Sequence, residues 1–347
     1  MRIFRGLILL PLFALLSGCN MVVMHPSGDI AVQERDLVIA SVALMLLIIL
    51  PVMTMIILFA WRYRASNTTA KYEPEWHHST GLEVAIWSAP LAIIVALGAL
   101  TWISTHVLDP YRPIARIAPG RPVPAAVKPL EVDVVAMNWK WLFIYPTLGI
   151  ATVNEVAAPV DTPINFRLTS STMMNAFYIP AVAGMIYAMP GMETPMHAVV
   201  NKVGVYNGFS SNYSGDGYSY MNFQFHGMTQ GDFDKWVQSV KAGGRGLDRQ
   251  DYLKLATPSQ ANPVARYATV APNLFEAVVN ECVDPTKMCV DQTMKIDAQG
   301  GRKVETGEAA QHHQGPHGDM GAMKMPQGAD TGTTPDETTK QTAPAQR

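Results

Sequence analysis

The sequence predicts a membrane protein with two transmembrane α-helices followed by an all-β domain. Two long runs, residues 37–60 and 84–103, contain no charged side chain, and each is long enough to cross a bilayer as a helix. Beyond residue 113 the pattern changes to short segments with alternating apolar and polar side chains, which is typical of strands with one buried face. The mean hydropathy of +0.10 also favours a membrane protein.

The first nineteen residues have the order of a bacterial secretory signal. Arg2 and Arg5 precede an apolar run, Gly6–Leu16, that is too short to span a membrane. The run ends in Leu-Ser-Gly-Cys, which resembles the lipobox of bacterial lipoproteins. We therefore expect residues 1–18 to be a cleaved lipoprotein signal peptide and Cys19 to be acylated, with a fatty acid such as palmitate. An ordinary signal peptide with a chance cysteine is the alternative.

The distribution of basic side chains predicts the orientation of two spans, at residues 37–61 and 81–105. The connecting loop, residues 62–80, has three basic side chains: Arg62, Arg64 and Lys71. The segment before the first span, residues 19–36, has one basic side chain among three acidic ones. Because basic loops stay in the cytoplasm, we expect a cytoplasmic loop, a periplasmic N-terminal segment and a periplasmic domain at residues 113–290.

Periodicity predicts the content of the periplasmic domain. The alternating apolar residues are Ile164, Phe166 and Leu168 in one segment and Met221, Phe223 and Phe225 in another. They indicate a β-sandwich or barrel. A C-terminal helix follows, with an apolar face at Phe233, Trp236, Val237 and Val240. Residues 300–347 contain no Phe, Trp, Tyr, Leu or Ile, so we expect a disordered tail.

Charge and cysteine content exclude several classes of protein. The net charge of −2 and the pI of about 6.5 provide no basic surface for nucleic acid. Three cysteines are too few for a four-thiolate metal site or a disulfide-stapled scaffold. Cys282 and Cys289 would lie in the oxidising periplasm with a short loop between them, so they are a candidate disulfide.

Three segments carry a family resemblance: Asn138–Trp141, which reads Asn-Trp-Lys-Trp, Asn175–Pro180 and Gly208–Gly215. After a two-helix hairpin, they resemble the aromatic stretch, the ligand strand and the copper loop of subunit II of the haem–copper oxidases. The resemblance covers about residues 30–285. It implies that the all-β domain is cupredoxin-like.

The copper ligands of that family are replaced in this chain. The family's loop reads Cys-x-Glu-x-Cys-x-x-x-His-x-x-Met, and a further His begins the ligand strand. The six matching positions here are Asn175, Ser210, Asn212, Ser214, Tyr218 and Met221. A dinuclear copper centre needs soft bridging thiolates, and serine hydroxyls are neither soft nor ionised at neutral pH. We therefore expect no metal here, and side chains that pack and hydrogen-bond instead.

Without that copper centre, a family member cannot accept electrons from cytochrome c. The resemblance therefore implies a haem–copper ubiquinol oxidase of the cytochrome bo/ba type. Such a terminal oxidase couples ubiquinol oxidation and oxygen reduction to proton translocation in the aerobic respiratory chain. Haems and copper would lie in subunit I. This chain would bind no cofactor, contain no catalytic residue and assemble with subunits I, III and IV in the bacterial inner membrane.

Glu83 lies at the cytoplasmic start of the second span, where a carboxylate needs a partner or a function. The segment Thr80-Gly81-Leu82-Glu83 matches a capping box, which favours a structural role. The family resemblance implies a functional role, because a glutamate at this point of subunit II lies at the cytoplasmic mouth of a proton channel into subunit I. A Gln substitution separates the two, since Gln can cap a helix but cannot carry a proton.

Two other functions stay open on the sequence. A cytochrome c oxidase subunit would need the missing cysteines and would show a near-infrared copper band. A periplasmic copper-handling lipoprotein with a cupredoxin-like fold would bind metal in its tail. The candidate ligands there are His312, His313, His317, Met320, Met323 and Met325.

Overall fold

The computed structural model describes residues 21–71, 73–125 and 127–299. The predicted signal peptide, Cys19 and the tail from residue 300 onward, with its candidate metal ligands, lie outside the described residues. The helices are α1 (Asp29–Arg62), α2 (Thr80–Val107), α3 (Gln230–Ala242), α4 (Arg249–Ala256), α5 (Leu274–Val279) and α6 (Val290–Ala298). Short 3₁₀ turns lie at Val22–Met24 and Tyr218–Tyr220.

Most strands are short and lie between α2 and α3. They are β1 (Arg116–Ala118), β2 (Arg121–Pro122), β3 (Leu130–Met137), β4 (Lys140–Tyr145), β5 (Ile150–Val153), β6 (Glu155–Pro159), β7 (Ile164–Ser170), β8 (Asn175–Ile179), β9 (Ala183–Ala188), β10 (Thr194–Ala198), β11 (Gly204–Ser210), β12 (Asn222–Met228), β13 (Gly246–Leu247), β14 (Ala265–Tyr267) and β15 (Thr269–Val270). The predicted fold class, two apolar helices followed by a cupredoxin-like β domain, is confirmed.

Helices α1 and α2 pack against each other and are both long and apolar enough to cross a membrane. Each contains a proline, Pro51 in α1 and Pro90 in α2. With 34 residues, α1 is roughly 50 Å long, well beyond the roughly 30 Å hydrocarbon core. Its first turns therefore extend past the membrane and reach the β domain.

Helix α1 begins at Asp29 rather than at the predicted start of the span, residue 37. The segment predicted as residues 19–36 is therefore helical over its second half. The charged side chains at 34–36 end the apolar pattern, but the backbone is helical on both sides of them. Asp29 in the first turn suits the helix dipole. The start is fixed at Gly28, where an added Cβ would lie 2.3 Å from the carbonyl oxygen of Val182.

Two sheets form the β domain. The larger has the strand order β10-β7-β3-β4-β5-β14, and the smaller has the order β6-β12-β11-β8-β9. Most neighbours are antiparallel, but β3 pairs with β7, and β6 with β12, in parallel. The aromatic core between the sheets includes Phe177 and Phe223, whose rings stack with their centroids 5.1 Å apart. The predicted alternating residues Ile164, Phe166 and Leu168 are fully buried in this core.

The other face of the six-stranded sheet is also buried. Leu142 and Val135 face a second core, which we call the outer core, built with Tyr267, Phe275 and Val278 from the C-terminal segment. The predicted C-terminal helix is present as α3, with Phe233, Trp236, Val237 and Val240 buried. Three further helices, α4, α5 and α6, follow it, so the prediction of one helix is incomplete. Because these helices are short, their periodicity is too weak to predict them.

Candidate functional site

The six positions that match copper ligands lie at one end of the five-stranded sheet. Asn175 begins β8 and Ser210 ends β11, and these two strands pair directly. The chain then passes through Asn212 and Ser214 into the 3₁₀ turn that holds Tyr218, and Met221 precedes β12. We refer to Asn175 together with residues 210–221 as the ligand-position loop. The fold thus places the six positions at one end of one sheet.

Hydrogen bonds involve three of these six residues, Asn175, Ser210 and Asn212. The Ser210 hydroxyl oxygen lies 3.2 Å from Asn175 Oδ1 and 3.2 Å from the carbonyl oxygen of Asn212. It has one proton, so it donates to one of them at a time. The Asn212 amide donates to the carbonyl of Met174, at 3.1 Å. Since Asn175 and Ser210 are almost fully buried, these bonds offset the cost of burying polar groups.

The remaining three positions serve packing. The Ser214 hydroxyl is buried and has no hydrogen-bond partner among the described residues. The ring of Tyr218 packs edge-on against Tyr213, with centroids 5.6 Å apart. Met221 is fully buried in the core, and its carbonyl accepts a hydrogen bond from the Trp141 indole at 3.4 Å.

This donor set does not suit copper. It consists of amides, hydroxyls, a phenol and one thioether, and it includes no thiolate or imidazole to bridge two soft metal ions. Elsewhere in residues 21–299, as far as they are described, no group of three or more His, Cys, Asp or Glu side chains is arranged to hold a metal. The chemistry left in the ligand-position loop is that of a folded, hydrogen-bonded turn.

The aromatic segment supports this loop. Trp139 lies at the β3–β4 turn with φ of 60°, and its indole donates to the carbonyl of Ser214 at 2.9 Å. A Cβ added at Gly217 would lie 2.4 Å from the Trp139 ring, so only glycine allows this approach. Trp141 lies wholly in the core. Trp139 therefore supports the ligand-position loop directly, and Trp141 packs in the core beneath the same sheet end.

Lys140 has a role that the sequence pattern does not indicate. Its ammonium group is buried and donates to the carbonyls of Leu255 and Thr257, at 2.8 and 2.9 Å, and to the hydroxyl of Ser259, at 2.6 Å. Burial lowers the pKa of Lys140 below its usual value. The side chain joins β4 to the end of α4. The sequence feature that could have indicated this buried role is the position of the lysine between two tryptophans, at the start of an apolar strand.

A charged cluster, also not predicted, links the six-stranded sheet to α5. Arg167 binds Glu193 through two hydrogen bonds of 2.9 and 3.0 Å, lies 3.3 Å from Asp133, and stacks on Phe275 at 4.7 Å. Glu276 lies 3.5 Å from the same guanidinium. Burial raises the pKa of Asp133 to about 7, although the nearby Arg167 opposes this shift. One cation therefore serves three carboxyl groups.

Glu83 does not form the capping box that its sequence matches. The N-cap of α2 is Ser79, which makes no side-chain cap, and the Thr80 hydroxyl lies 3.2 Å from His78 Nε2. Instead, the Glu83 carboxylate faces His78, whose Nδ1 is 2.7 Å from Glu83 Oε1. Both side chains are about half exposed. The motif misleads because the helix begins one residue earlier than the box requires.

Cys282 and Cys289 form a disulfide in the structure, with Cα atoms 4.8 Å apart. The bridge closes the turn between α5 and α6, and the Val290 amide also donates to the carbonyl of Asn280, at 3.0 Å. Cys289 is the N-cap residue of α6. The bond thus ties the start of the last helix to the outer core. Alkylation of both thiols in the non-reduced native protein would contradict it.

Comparisons with family models and known proteins show which proteins this chain is similar to. The family model of the cytochrome c oxidase subunit II periplasmic domain matches residues 131–227, and that of the COX aromatic rich motif matches residues 241–286. Cytochrome bo(3) ubiquinol oxidase subunit 2 of Pseudomonas putida is 48% identical over 267 residues, which is 77% of this chain and 82% of the relative. Ubiquinol oxidase subunit 2 of Acetobacter aceti is 42% identical over 296 residues, which is 85% of this chain and 91% of the relative.

Among solved structures, the periplasmic domain of subunit II of cytochrome oxidase of Bradyrhizobium japonicum is 23% identical, with a TM-score of 0.32. It covers 33% of this chain and 94% of its own. The two ubiquinol oxidase relatives match most of both chains at identities far above those of unrelated proteins. This chain belongs to the ubiquinol oxidase subunit 2 family, within the superfamily of cytochrome c oxidase subunit II.

Proposed function

We propose that this chain is a structural subunit, without a redox centre of its own, of a terminal oxidase that couples ubiquinol oxidation and oxygen reduction to proton translocation. The observation that carries the proposal is the hydrogen-bonded set of Asn175, Ser210 and Asn212 at the copper-ligand positions of a retained scaffold. Electrons from a soluble cytochrome would need a metal centre in this domain. The names of the relatives, ubiquinol oxidase subunit 2, support quinol as the electron donor.

In this proposal the redox chemistry belongs to other chains. Haems and copper lie in subunit I, against which α1 and α2 pack, and the β domain covers its periplasmic side. Subunits III and IV complete a complex in the bacterial inner membrane. An acylated Cys19 anchors the N-terminus. The two apolar helices, followed by a domain that matches a periplasmic family model, support this placement.

A copper-handling lipoprotein is less well supported. Among the described residues no cluster of His, Cys, Asp or Glu is arranged for a metal, and the relatives at 42–48% identity are oxidase subunits by name. Isothermal titration of copper into a peptide of residues 300–347 tests the tail directly. Micromolar binding of copper by this peptide, and also by the purified oxidase complex, would favour the copper-handling function.

Purification of the complex through a tag on this chain tests the proposed function. We expect haem to co-purify, and oxygen uptake to be rapid with ubiquinol and negligible with reduced cytochrome c. A tagged chain that purifies alone, without haem, would contradict the assignment to an oxidase. Rapid turnover with reduced cytochrome c would contradict quinol as the donor.

We also propose that Glu83 lies at the cytoplasmic mouth of a proton channel into subunit I. Its carboxylate is partly exposed and bonded to a titratable partner, His78, rather than to backbone amides, which suits proton exchange with the cytoplasm better than a capping role. The α2 start retains its backbone bond from the Glu83 amide to the Ser79 carbonyl, at 2.9 Å, whatever the side chain does. Loss of the acid should therefore not unwind the helix.

Glu83→Gln is the informative variant. We expect normal assembly and haem content but several-fold slower steady-state ubiquinol oxidation, since an amide cannot pass a proton. Glu83→Asp, which keeps the acid, should be milder. Steady-state oxygen uptake per haem measures both. If Glu83→Gln turns over at the wild-type rate, and only Glu83→Ala loses assembled complex, then the residue is structural.

A further inference from the structure

A cavity of about 180 Å³ lies where α1 and the end of α2 meet the β domain. Its charged lining combines three carboxyl groups, Asp29, Glu34 and Asp109, with two guanidinium groups, Arg112 and Arg116. Gln33 also lines it. The cavity lies at the end of both apolar helices, where a bilayer would have its periplasmic headgroup region. Because side chains of both charges line the cavity, it suits a zwitterion better than a simple anion or cation.

One buried atom in this cavity lacks a partner. Asp29 is 1% exposed, and its Oδ2 accepts hydrogen bonds from Arg116 Nε and Gln33 Nε2, both at 2.8 Å. Its Oδ1 is also shielded from solvent but has no hydrogen-bond partner among the described residues. A buried carboxylate oxygen without a donor is destabilising. Both neighbouring donors, Arg116 and Gln33, are thus used by Oδ2, and Oδ1 can accept a hydrogen bond from a ligand.

An apolar groove continues from this cavity between the two helices. Gln33, Val107 and Leu108 line both, so the two spaces adjoin. The groove extends from Gln33 to Ala40, a rise of roughly 10 Å along α1, and Leu100 and Ile103 of α2 form its other wall. A ligand that fills both spaces needs a charged head and an apolar chain.

We propose that the cavity and groove bind a phospholipid with a primary ammonium group, of the phosphatidylethanolamine type. The ammonium donates to Asp29 Oδ1 and to Glu34, the phosphate binds Arg112, and one acyl chain lies in the groove. A choline headgroup has the same charges but no N–H donor, and a glycerol headgroup has no cation. The site therefore selects for the amine. This inference does not depend on the proposed function of the oxidase complex.

Native mass spectrometry of the delipidated full-length chain in detergent tests the proposal. The probes are phosphatidylethanolamine, phosphatidylcholine and phosphatidylglycerol with identical acyl chains. We expect the ethanolamine lipid to bind roughly tenfold more tightly than the other two, since hydrogen bonds between charged groups are among the stronger ones in proteins. Soluble phosphoethanolamine, which lacks the chains, should bind more weakly than the lipid because it leaves the groove empty.

Matched variants locate the site. Asp29→Asn should abolish the preference for ethanolamine over choline, whereas Arg112→Gln should weaken all three phospholipids and keep the preference. Arg62→Gln, the same charge change at the other end of α1 and at a residue that lines neither space, should change nothing. If Asp29→Asn does not fold, Leu100→Trp blocks the groove without touching the carboxylate and should reduce ethanolamine lipid binding roughly tenfold.

Three results would overturn the proposal. The first is equal binding of the three lipids by the wild-type chain. The second is an ethanolamine preference that survives both Asp29→Asn and Leu100→Trp. The third is ubiquinol displacing the ethanolamine lipid at equal concentration, which would make the cavity a quinol site instead.

Discussion

The ligand-position loop and the contact between the six-stranded sheet and the C-terminal segment both contain buried polar groups, but they use different chemistry. In the loop, Asn175 and Ser210 bond to neutral groups only. In the contact, the Lys140 ammonium donates hydrogen bonds to two carbonyls and a hydroxyl, and Arg167 lies near three carboxyl groups. A separate ion pair joins Arg266 of β14 to Glu155 of β6, in the five-stranded sheet, through two bonds of 2.8 Å.

The difference shows what replacement of a metal site requires. Neutral amides and hydroxyls can occupy ligand positions without a change in charge, and each bond contributes only about 1 kcal/mol. Charged groups that join two parts of a fold cannot be exchanged as easily, because removal of one partner leaves the other buried and unpaired. We therefore expect the loop to tolerate substitution and the C-terminal contact to resist it.

The largest expected effect is at Lys140. Lys140→Met leaves two carbonyls and one hydroxyl without their charged donor, which should destabilise the folded chain by about 4 kcal/mol at roughly 1–3 kcal/mol for each hydrogen bond. Urea unfolding of the full-length chain in detergent measures the change. Lys241→Met, on the exposed face of α3, is the matched control. A loss for Lys140→Met no larger than that of the control would remove the distinction between the two regions.

The next effect concerns pH. The pKa of Asp133 is raised by burial from 3.8 to about 7, so the folded state holds its proton more tightly than the unfolded state. Its stabilising contribution is thus fully present below pH 3.8 and is lost as pH rises through 7. Between pH 4 and pH 8 the wild-type chain should lose on the order of 3 kcal/mol relative to Asp133→Asn.

Urea midpoints at several pH values measure this slope. The control is Asp234→Asn, an exposed carboxylate on α3, which should keep the wild-type dependence on pH. If the urea midpoints of wild type and Asp133→Asn change with pH in the same way, the effect of Arg167 on the pKa of Asp133 outweighs that of burial. The contact between the six-stranded sheet and the C-terminal segment is then no more sensitive to pH than the ligand-position loop.

The smallest effect is expected in the loop itself. Ser210→Ala removes one hydroxyl that donates to Asn175 Oδ1 or to the Asn212 carbonyl, so it should cost about 1 kcal/mol with no change in the pH profile. Ser219→Ala, an exposed residue of the same loop, serves as the control. A loss of about 3 kcal/mol or more at Ser210 would mean that the loop is as tightly constrained as the charged contact.

Sequence patterns predict the parts of this fold that depend on one element at a time. The uncharged runs predict α1 and α2, and alternation predicts β7 and β12, because each pattern reflects a single face or environment. Strand β3 is different. Its residues are buried on both faces, since the C-terminal segment covers the second face, and that contact brings together residues more than 100 positions apart.

In the candidate site, too, local sequence patterns predict some features and tertiary contacts determine the others. The six ligand positions can be identified because their spacing along the chain is retained, and the structure brings them to one end of one sheet. The roles of Lys140 and Arg167 depend on tertiary contacts, so spacing carries no signal for them. At Glu83 the local motif fits a capping box, but the helix begins at Thr80 and the carboxylate turns to His78.

Copper content and near-infrared absorption of the purified complex test the central claim most directly, that the ligand-position loop of this chain holds no metal. The comparison is between wild type and a double variant, Ser210→Ala with Met221→Leu, both purified through this chain. We predict no near-infrared copper band, equal copper-to-haem ratios and equal rates of ubiquinol oxidation in the two. A near-infrared band in the wild type, or a lower copper-to-haem ratio in the double variant, would contradict the account.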